Sequence, residues 1–308
     1  MGDNNICVNI SSLDSISTDK IKAKTKEETK CAPSKRFEAG SCITLEVLIA
    51  MAEAYNKTHE NRIKLSCKKE TLHPKRYKKY LLKKIGDAYK NVCDSQMCWS
   101  QQDFIKKMNE VMRVELEKFT LRPEGPNGRF EWLNTVNINE TMEQYNVLHK
   151  EFMFLGAVPI DFNEIKHPGI YDINLDDLKN NNITKFGIIF NLDEHWQSGS
   201  HWVACYADVD SGKVYYFDSY GTHPEKRITR LMEKFSDYYE KNNPGKKCDV
   251  RYNKTRNQFK NSECGVYSIN FILQSLEGKS LEYIENNPIS DNDINMLRKK
   301  IFRNVDFV

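Results

Sequence analysis

No stretch of this sequence runs to about 18 consecutive apolar residues, and its opening, "MGDNNICVNISSLD", has neither the basic block nor the apolar block of a secretory signal. A membrane partner and an exported life are therefore not expected. Gly2 stands where a myristoyl group attaches, but Ile6 occupies the position where that motif needs Ser or Thr. Neither sign of charge dominates. Against 43 Asp and Glu stand 46 Lys and Arg, a formal net charge of +3, so any affinity for nucleic acid must come from a local patch. Metal-finger spacing is missing too: "CDSQMC" (93–98) leaves four residues between its thiols and has no second pair to complete a zinc site. Without a signal for export, the nine cysteines are expected as reduced thiols in a cytosolic compartment.

What is present is enough for a substantial core: 308 residues, 39% of them hydrophobic and 29% charged. Polar residues crowd the first 37 positions, too few of them apolar to repay ordering, and a mobile polar arm is expected over 1–40. Then "TLEVLIAMAEAYNKT", "PKRYKKYLLKKIGDAYKNV" and "SQQDFIKKMNEVMRVELEKF" each carry apolar residues at helical spacing. They predict a helical accessory domain over 41–121, the last helix starting at a capping box made by Ser100 and Asp103. The turn-rich "RPEGPNGR" (122–129) breaks the pattern and opens a second domain over 122–308.

In that second domain "NINETMEQYNVLHKEF" reads as a helix, "FGIIF" (186–190) as a short buried strand, and "HWVACYAD" and "KVYYFDSY" as two strands joined at the turn "VDSG". "EKRITRLMEKFSDYYEKN" is an amphipathic helix, Cys248–Tyr252 a short strand, and "CGVYSINFILQSLEG" a helix closed by Gly278. A final helix starts at "SDND" and reaches about Phe302. The fold class is α+β, with a small antiparallel-rich central sheet flanked by helices.

Chemistry concentrates at Cys264. It sits where the turn "KNSE" gives way to an apolar helix, so the positive end of the helix dipole favours its thiolate, and Gly265 lets the backbone pass close to a substrate. For a base, counting outward from "VDSG" sets His201 opposite residues 218–220, which brings an imidazole to the carboxylate of Asp218. Gln258, six residues before Cys264, offers an amide to an oxyanion. His195 is a rival base in a more polar loop, with Trp196 beside it.

"HW", an Asp seventeen residues after the His, and Gln and Cys six apart with "CG" at the Cys together resemble the ubiquitin-like-protein-specific (SUMO or sentrin type) cysteine proteases and their adenovirus relative. "EWLNTVNINETMEQY" is similar to the opening of that family's catalytic domain. "PEGPNGRFEWLN", "FMFLGAVPIDF" and "YYFDSYG" look like the branch found in large cytoplasmic DNA viruses, the poxvirus and African swine fever virus core proteases among them. The resemblance implies a papain-like, adenain-like core, His201 as base, Asp218 as orienting acid, Gln258 as oxyanion donor and Cys264 as nucleophile. It further implies substrate contacts at Trp132, Asn134, Trp196, Trp202 and Gly265, and no metal or organic cofactor. The expected activity is endoproteolysis of virion polyprotein precursors after small residues, at Gly-Gly-X or Gly-X sites, in the host cytoplasm and the virion. Thr135 departs from the family's Asp, which weighs against the usual contact to a folded modifier. The competing expectations are removal of SUMO or ubiquitin from host conjugates, acetyl transfer, and a basic virion scaffold keeping a protease shell. The eight Lys and Arg of "CKKETLHPKRYKKYLLKKIG" (67–86) offer a weak contact for DNA or an acidic core protein, against the plainer reading of a solvated helix face.

Overall fold

The computed structural model describes residues 27–66, 73–126 and 130–304. Most of the expected polar arm (1–26), the start of the basic segment with Cys67 (67–72), and the end of the turn-rich boundary (127–129) lie outside the described residues. The chain divides into two compact units, Met1–Arg122 and Pro123–Val308.

The first unit packs helices α1 (Leu45–Thr58), α2 (Pro74–Tyr89), α3 (Gln96–Ser100) and α4 (Glu110–Phe119). Their apolar stripes close on one core that includes Val47, Leu48, Met51, Leu81, Ile85 and Phe104. Thr44 starts α1 by accepting the Val47 N–H, and Pro74, which has no N–H to leave unpaired, starts α2. Residues 27–40 are built into this unit rather than into an arm: Ala32 is buried, its N–H bonds Thr120 O, and Cys31 is disulfide-bonded to Cys42. A second disulfide joins Cys93 to Cys98. The expectation of nine reduced thiols is thereby corrected, because tight turns bring each pair's Cα atoms to 5.5 and 5.4 Å, inside the span a disulfide bridges. Spacing alone does not reveal that approach.

The capping box at Ser100 and Asp103 does not form either. Ser100 Oγ turns back to Met97 O and Asp103 bonds Lys106, so 103–107 is a 3-10 turn; α4 starts later, where Asn109 Oδ1 accepts the Met112 N–H.

The second unit is built on a five-stranded mixed sheet in the order β1 (Phe152–Pro159), β2 (Lys185–Asn191), β3 (Trp202–Asp208), β4 (Lys213–Phe217) and β5 (Asp249–Tyr252). Its two central pairings are antiparallel and its two outer ones parallel. Side chains alternate as a half-period of two demands. Trp202, Ala204 and Tyr206 join Tyr215 and Phe217 on one face, while Val203, Cys205 and Ala207 join Val214 and Tyr216 on the other. The first face is covered by α5 (Thr135–Leu148), α8 (Cys264–Leu276) and the short helices α9 (Leu281–Asn286), α10 (Asp291–Met296) and α11 (Arg298–Ile301). The second packs α7 (Lys226–Asn242) and α6 (Leu175–Asn180). Burying Phe271 of α8 against Phe217 of β4, rings stacked 5.1 Å apart, contributes about 2–3 kcal/mol and fixes the height of α8 on the sheet.

β1 has no counterpart in the expected elements. Gly156, at φ +121°, lies in a bulge between Phe154 and Ala157 that breaks the alternation by which a strand is recognised. Among the described residues no helix is long and apolar enough to cross a membrane.

Candidate active site

The β3–β4 hairpin closes at Gly212, whose positive φ of 68° suits the turn, and its register pairs Ala204 with Phe217 through Asp208 with Lys213. Carried three residues past that pairing, the register sets His201 level with Tyr220, and the two rings stack 4.5 Å apart. His201 Nε2 meets Asp218 Oδ1 at 2.6 Å, with both side chains almost wholly buried. The carboxylate is held by more than the imidazole. Tyr220 N–H donates to its Oδ1 and Thr222 N–H to its Oδ2, while Asn253 takes the Asp218 N–H and returns a hydrogen bond to the Asp218 carbonyl. Burial works to raise the Asp218 pKa, but the bonds from His201 and from Tyr220 outweigh it, and the group stays below the ordinary carboxylate value.

With Asp218 on Nε2, the other ring nitrogen is left open, and the Cys264 thiol is close enough to act on the charge of the ring. Burial pulls the imidazole pKa down; the bond to Asp218 and the nearby Cys264 outweigh it and push the value up to about 9. Cys264 is the first residue of α8 and is 3% exposed. The residue before it, Glu263, does not cap the helix with its side chain, which turns instead to Ser262 and Asn295, so the first-turn amides are left to the site.

Gln258 is fully buried. Its Oε1 accepts from Ser219 Oγ at 2.7 Å, its Nε2 donates to Lys260 O at 2.7 Å, and its backbone N–H bonds Ser219 O, which ties its loop to the residue after Asp218. One amide hydrogen remains for a ligand.

The substrate-contact candidates divide. Trp132 is half-exposed and, with Asn134, Trp202, Pro159, Asn191 and His195, lines a groove of about 380 Å³. Asn134 spends its side chain capping α5, in a reciprocal box with Asn137. Trp202 is buried and donates Nε1–H to Leu133 O at 2.8 Å. Gly265 faces that same Leu133: a Cβ at 265 would stand 3.0 Å from the Leu133 side chain, so the glycine answers a packing need there. Trp196 is 70% exposed, does not line the groove, and bonds Glu194 through Nε1. The rival base His195 has an acid of its own, Asp161, at 2.5 Å.

Sequence reasoning did not name Ser219, Tyr220 or Asn253. Tyr220 was within the expected register, three residues beyond the last strand pairing, but nothing local marks Asn253, which reaches Asp218 from 35 residues away.

The family model for the Ulp1 protease family, C-terminal catalytic domain, matches residues 133–306. The chain is 37% identical over 283 residues to a putative thiol protease of Acanthamoeba polyphaga mimivirus, covering 89% of this chain and 93% of that one. It is 25% identical over 228 residues to the SUMO-1 cysteine protease of African swine fever virus, covering 68% and 83%. A crystal structure of the African swine fever virus protease aligns with a TM-score of 0.60 at 19% identity, over 90% of this chain and 97% of that one, a likeness of fold.

Proposed function

Because this chain belongs to the Ulp1 protease family and is a cysteine-type peptidase of the branch encoded by large DNA viruses, we propose that Cys264 is its nucleophile, His201 its base, Asp218 the orienting acid and Gln258 an oxyanion donor. One observation carries the assignment: a buried imidazole held at 2.6 Å by a carboxylate, with the thiol that opens a helix close enough to act on its charge.

His201 holds Cys264 as an ion pair, the thiolate attacks a peptide carbonyl, and the carbonyl oxygen takes the negative charge. That oxyanion lies between the Cys264 N–H and the free hydrogen of the Gln258 amide, whose orientation Ser219 and Lys260 fix. His201 then gives its proton to the leaving amine as the C–N bond breaks. Water, deprotonated by the same imidazole, cleaves the thioester and regenerates Cys264.

Protein is the substrate class, and we assign the finer function as cleavage of viral polyprotein precursors after small residues, at Gly-Gly-X or Gly-X sites, in the host cytoplasm and the virion. Trp132 and Trp202 bordering the groove support an extended, slender substrate segment. A folded modifier is disfavoured by Thr135 at the family's Asp position and by the use of Asn134 as a helix cap. Wild type and Cys264→Ser incubated with virion precursors, with new N-termini read by mass spectrometry, test this. Cuts after glycine made by wild type alone are expected; release of SUMO or ubiquitin from conjugates without precursor cleavage overturns it.

For the basic segment, the described part lies in α2, where Tyr77, Lys78, Leu81 and Ile85 are buried and Arg76, Lys83 and Lys84 exposed. We retain a weak contact to DNA or an acidic core protein as the role of that exposed face.

A further inference from the structure

Glu263 stands immediately before Cys264 and is fully buried. A buried carboxylate at that point opposes formation of a thiolate next to it. Its oxygens are occupied by the Ser262 N–H, the Ser262 hydroxyl and Asn295 Nδ2, at 2.8, 3.1 and 2.8 Å. A second charge lies within the same wall. Arg298 of α11 is also 0% exposed; its Nε donates to Asn295 Oδ1 and its Nη2 to Ser262 O, both at 2.9 Å. Asn295 thus stands between the two charges, accepting from one and donating to the other. Arg298 Nη1 is one of two buried side-chain polar atoms among the described residues without a hydrogen-bond partner.

An arginine that served only to hold a turn would be expected to spend its whole fork on that turn. Here one donor stays unspent; burial works against the guanidinium charge, and foremost among the charges that work for it is Glu263. Resting on the reading of Cys264 as nucleophile, we propose that Arg298 is a positioning residue which offsets the buried carboxylate of Glu263, so that Cys264 reaches its thiolate form at neutral pH, while its grip on Ser262 O fixes the turn that aims the thiol. The other titratable groups facing Cys264 are His201, just before β3, and Tyr220, beyond β4.

The test is the pH dependence of Cys264 alkylation by iodoacetamide, with the modified cysteine located by peptide mapping, in wild type, Arg298→Met, Arg298→Lys, Glu263→Gln and the double variant Arg298→Met/Glu263→Gln. Arg298→Met raises the alkylation midpoint by about one pH unit, a roughly tenfold slower reaction at pH 6. Arg298→Lys falls between, and Glu263→Gln in the Arg298→Met background brings the midpoint back. A midpoint unmoved in folded Arg298→Met overturns the proposal, as does a rise that Glu263→Gln leaves in place, since that marks a purely structural arginine. Should Arg298→Met not fold, Glu263→Gln alone decides: a lowered midpoint supports the charge balance and an unchanged one overturns it. Failure of the nucleophile reading looks different, as wild-type Cys264 then alkylates no faster than Cys248.

Discussion

Two histidine–aspartate pairs stand six residues apart in this chain, His201 with Asp218 and His195 with Asp161, and their bonds are nearly equal at 2.6 and 2.5 Å. Bond length therefore does not tell a base from a bystander. Surroundings do: the His201 side chain is 11% exposed and lies close enough to Cys264 for the thiol to act on it, whereas that of His195 is 54% exposed and bonds its acid. Asp161 also takes the His195 backbone N–H and lies next to Ile160, whose N–H bonds Asp193 O, so this pair ties the end of β1 to the 193–195 loop. On the proposed assignment, the acid orients the ring in both places, and burial with a third partner is what sets the working pair apart.

The hardest blow to that contrast is Cys264→Ala. Removing the thiol leaves both pairs intact, so if the pairs carried catalysis, activity would survive; the expected loss in kcat/KM is at least about 10⁴-fold. Next comes the matched exchange of the two acids. Asp218→Asn keeps the shape but removes the charge that holds the imidazolium, and kcat falls by about 10²–10⁴-fold. Asp161→Asn, measured on the same peptide, leaves kcat within about fivefold of wild type and lowers the melting temperature instead, since Asp161 is buried and accepts two bonds from residue 195. Equal losses of kcat in the two variants would erase the distinction.

A third outcome concerns pH. The folded-state pKa of His201 is raised, from 6.5 to about 9, so its protonation stabilises the fold fully below pH 6.5 and that contribution is lost as the pH rises through about 9. The shift corresponds to about 3 kcal/mol. Melting temperatures of wild type and Asp218→Asn between pH 6 and pH 10 check it, because the difference between the two curves isolates the pair from other titrations. Wild type loses more stability over that window than Asp218→Asn, and parallel curves would contradict a shift caused by the carboxylate.

How much of this was legible in the sequence follows from the range of each interaction. The hairpin register came from a two-residue period and one turn, both local, and it delivered His201 to Asp218. The helix after Cys264 was equally plain, an apolar run behind a polar turn. What stayed hidden is set by contacts distant in sequence. Asn253 and Arg298 reach the site from 35 and 36 residues away along the chain, and the disulfides depend on turns that composition does not encode. β1 was masked by a bulge, and at Gly265, legible as a close approach, the neighbour at the Cβ position is Leu133.

The smallest expected effect is the most discriminating. His195 lines the groove and carries its own acid, so a reader given only distances would rank it beside His201. Its imidazole is mostly in water, where a hydrogen bond to the carboxylate contributes about 1 kcal/mol. His195→Ala therefore changes kcat/KM by no more than about fivefold, and the change falls in KM, since the ring borders the groove but does not touch the reacting atoms. It also leaves the alkaline loss of stability in place, because that belongs to His201. A collapse of kcat in His195→Ala, with the protein still folded, would mean that the exposed pair is the working base and that burial is not what separates the two.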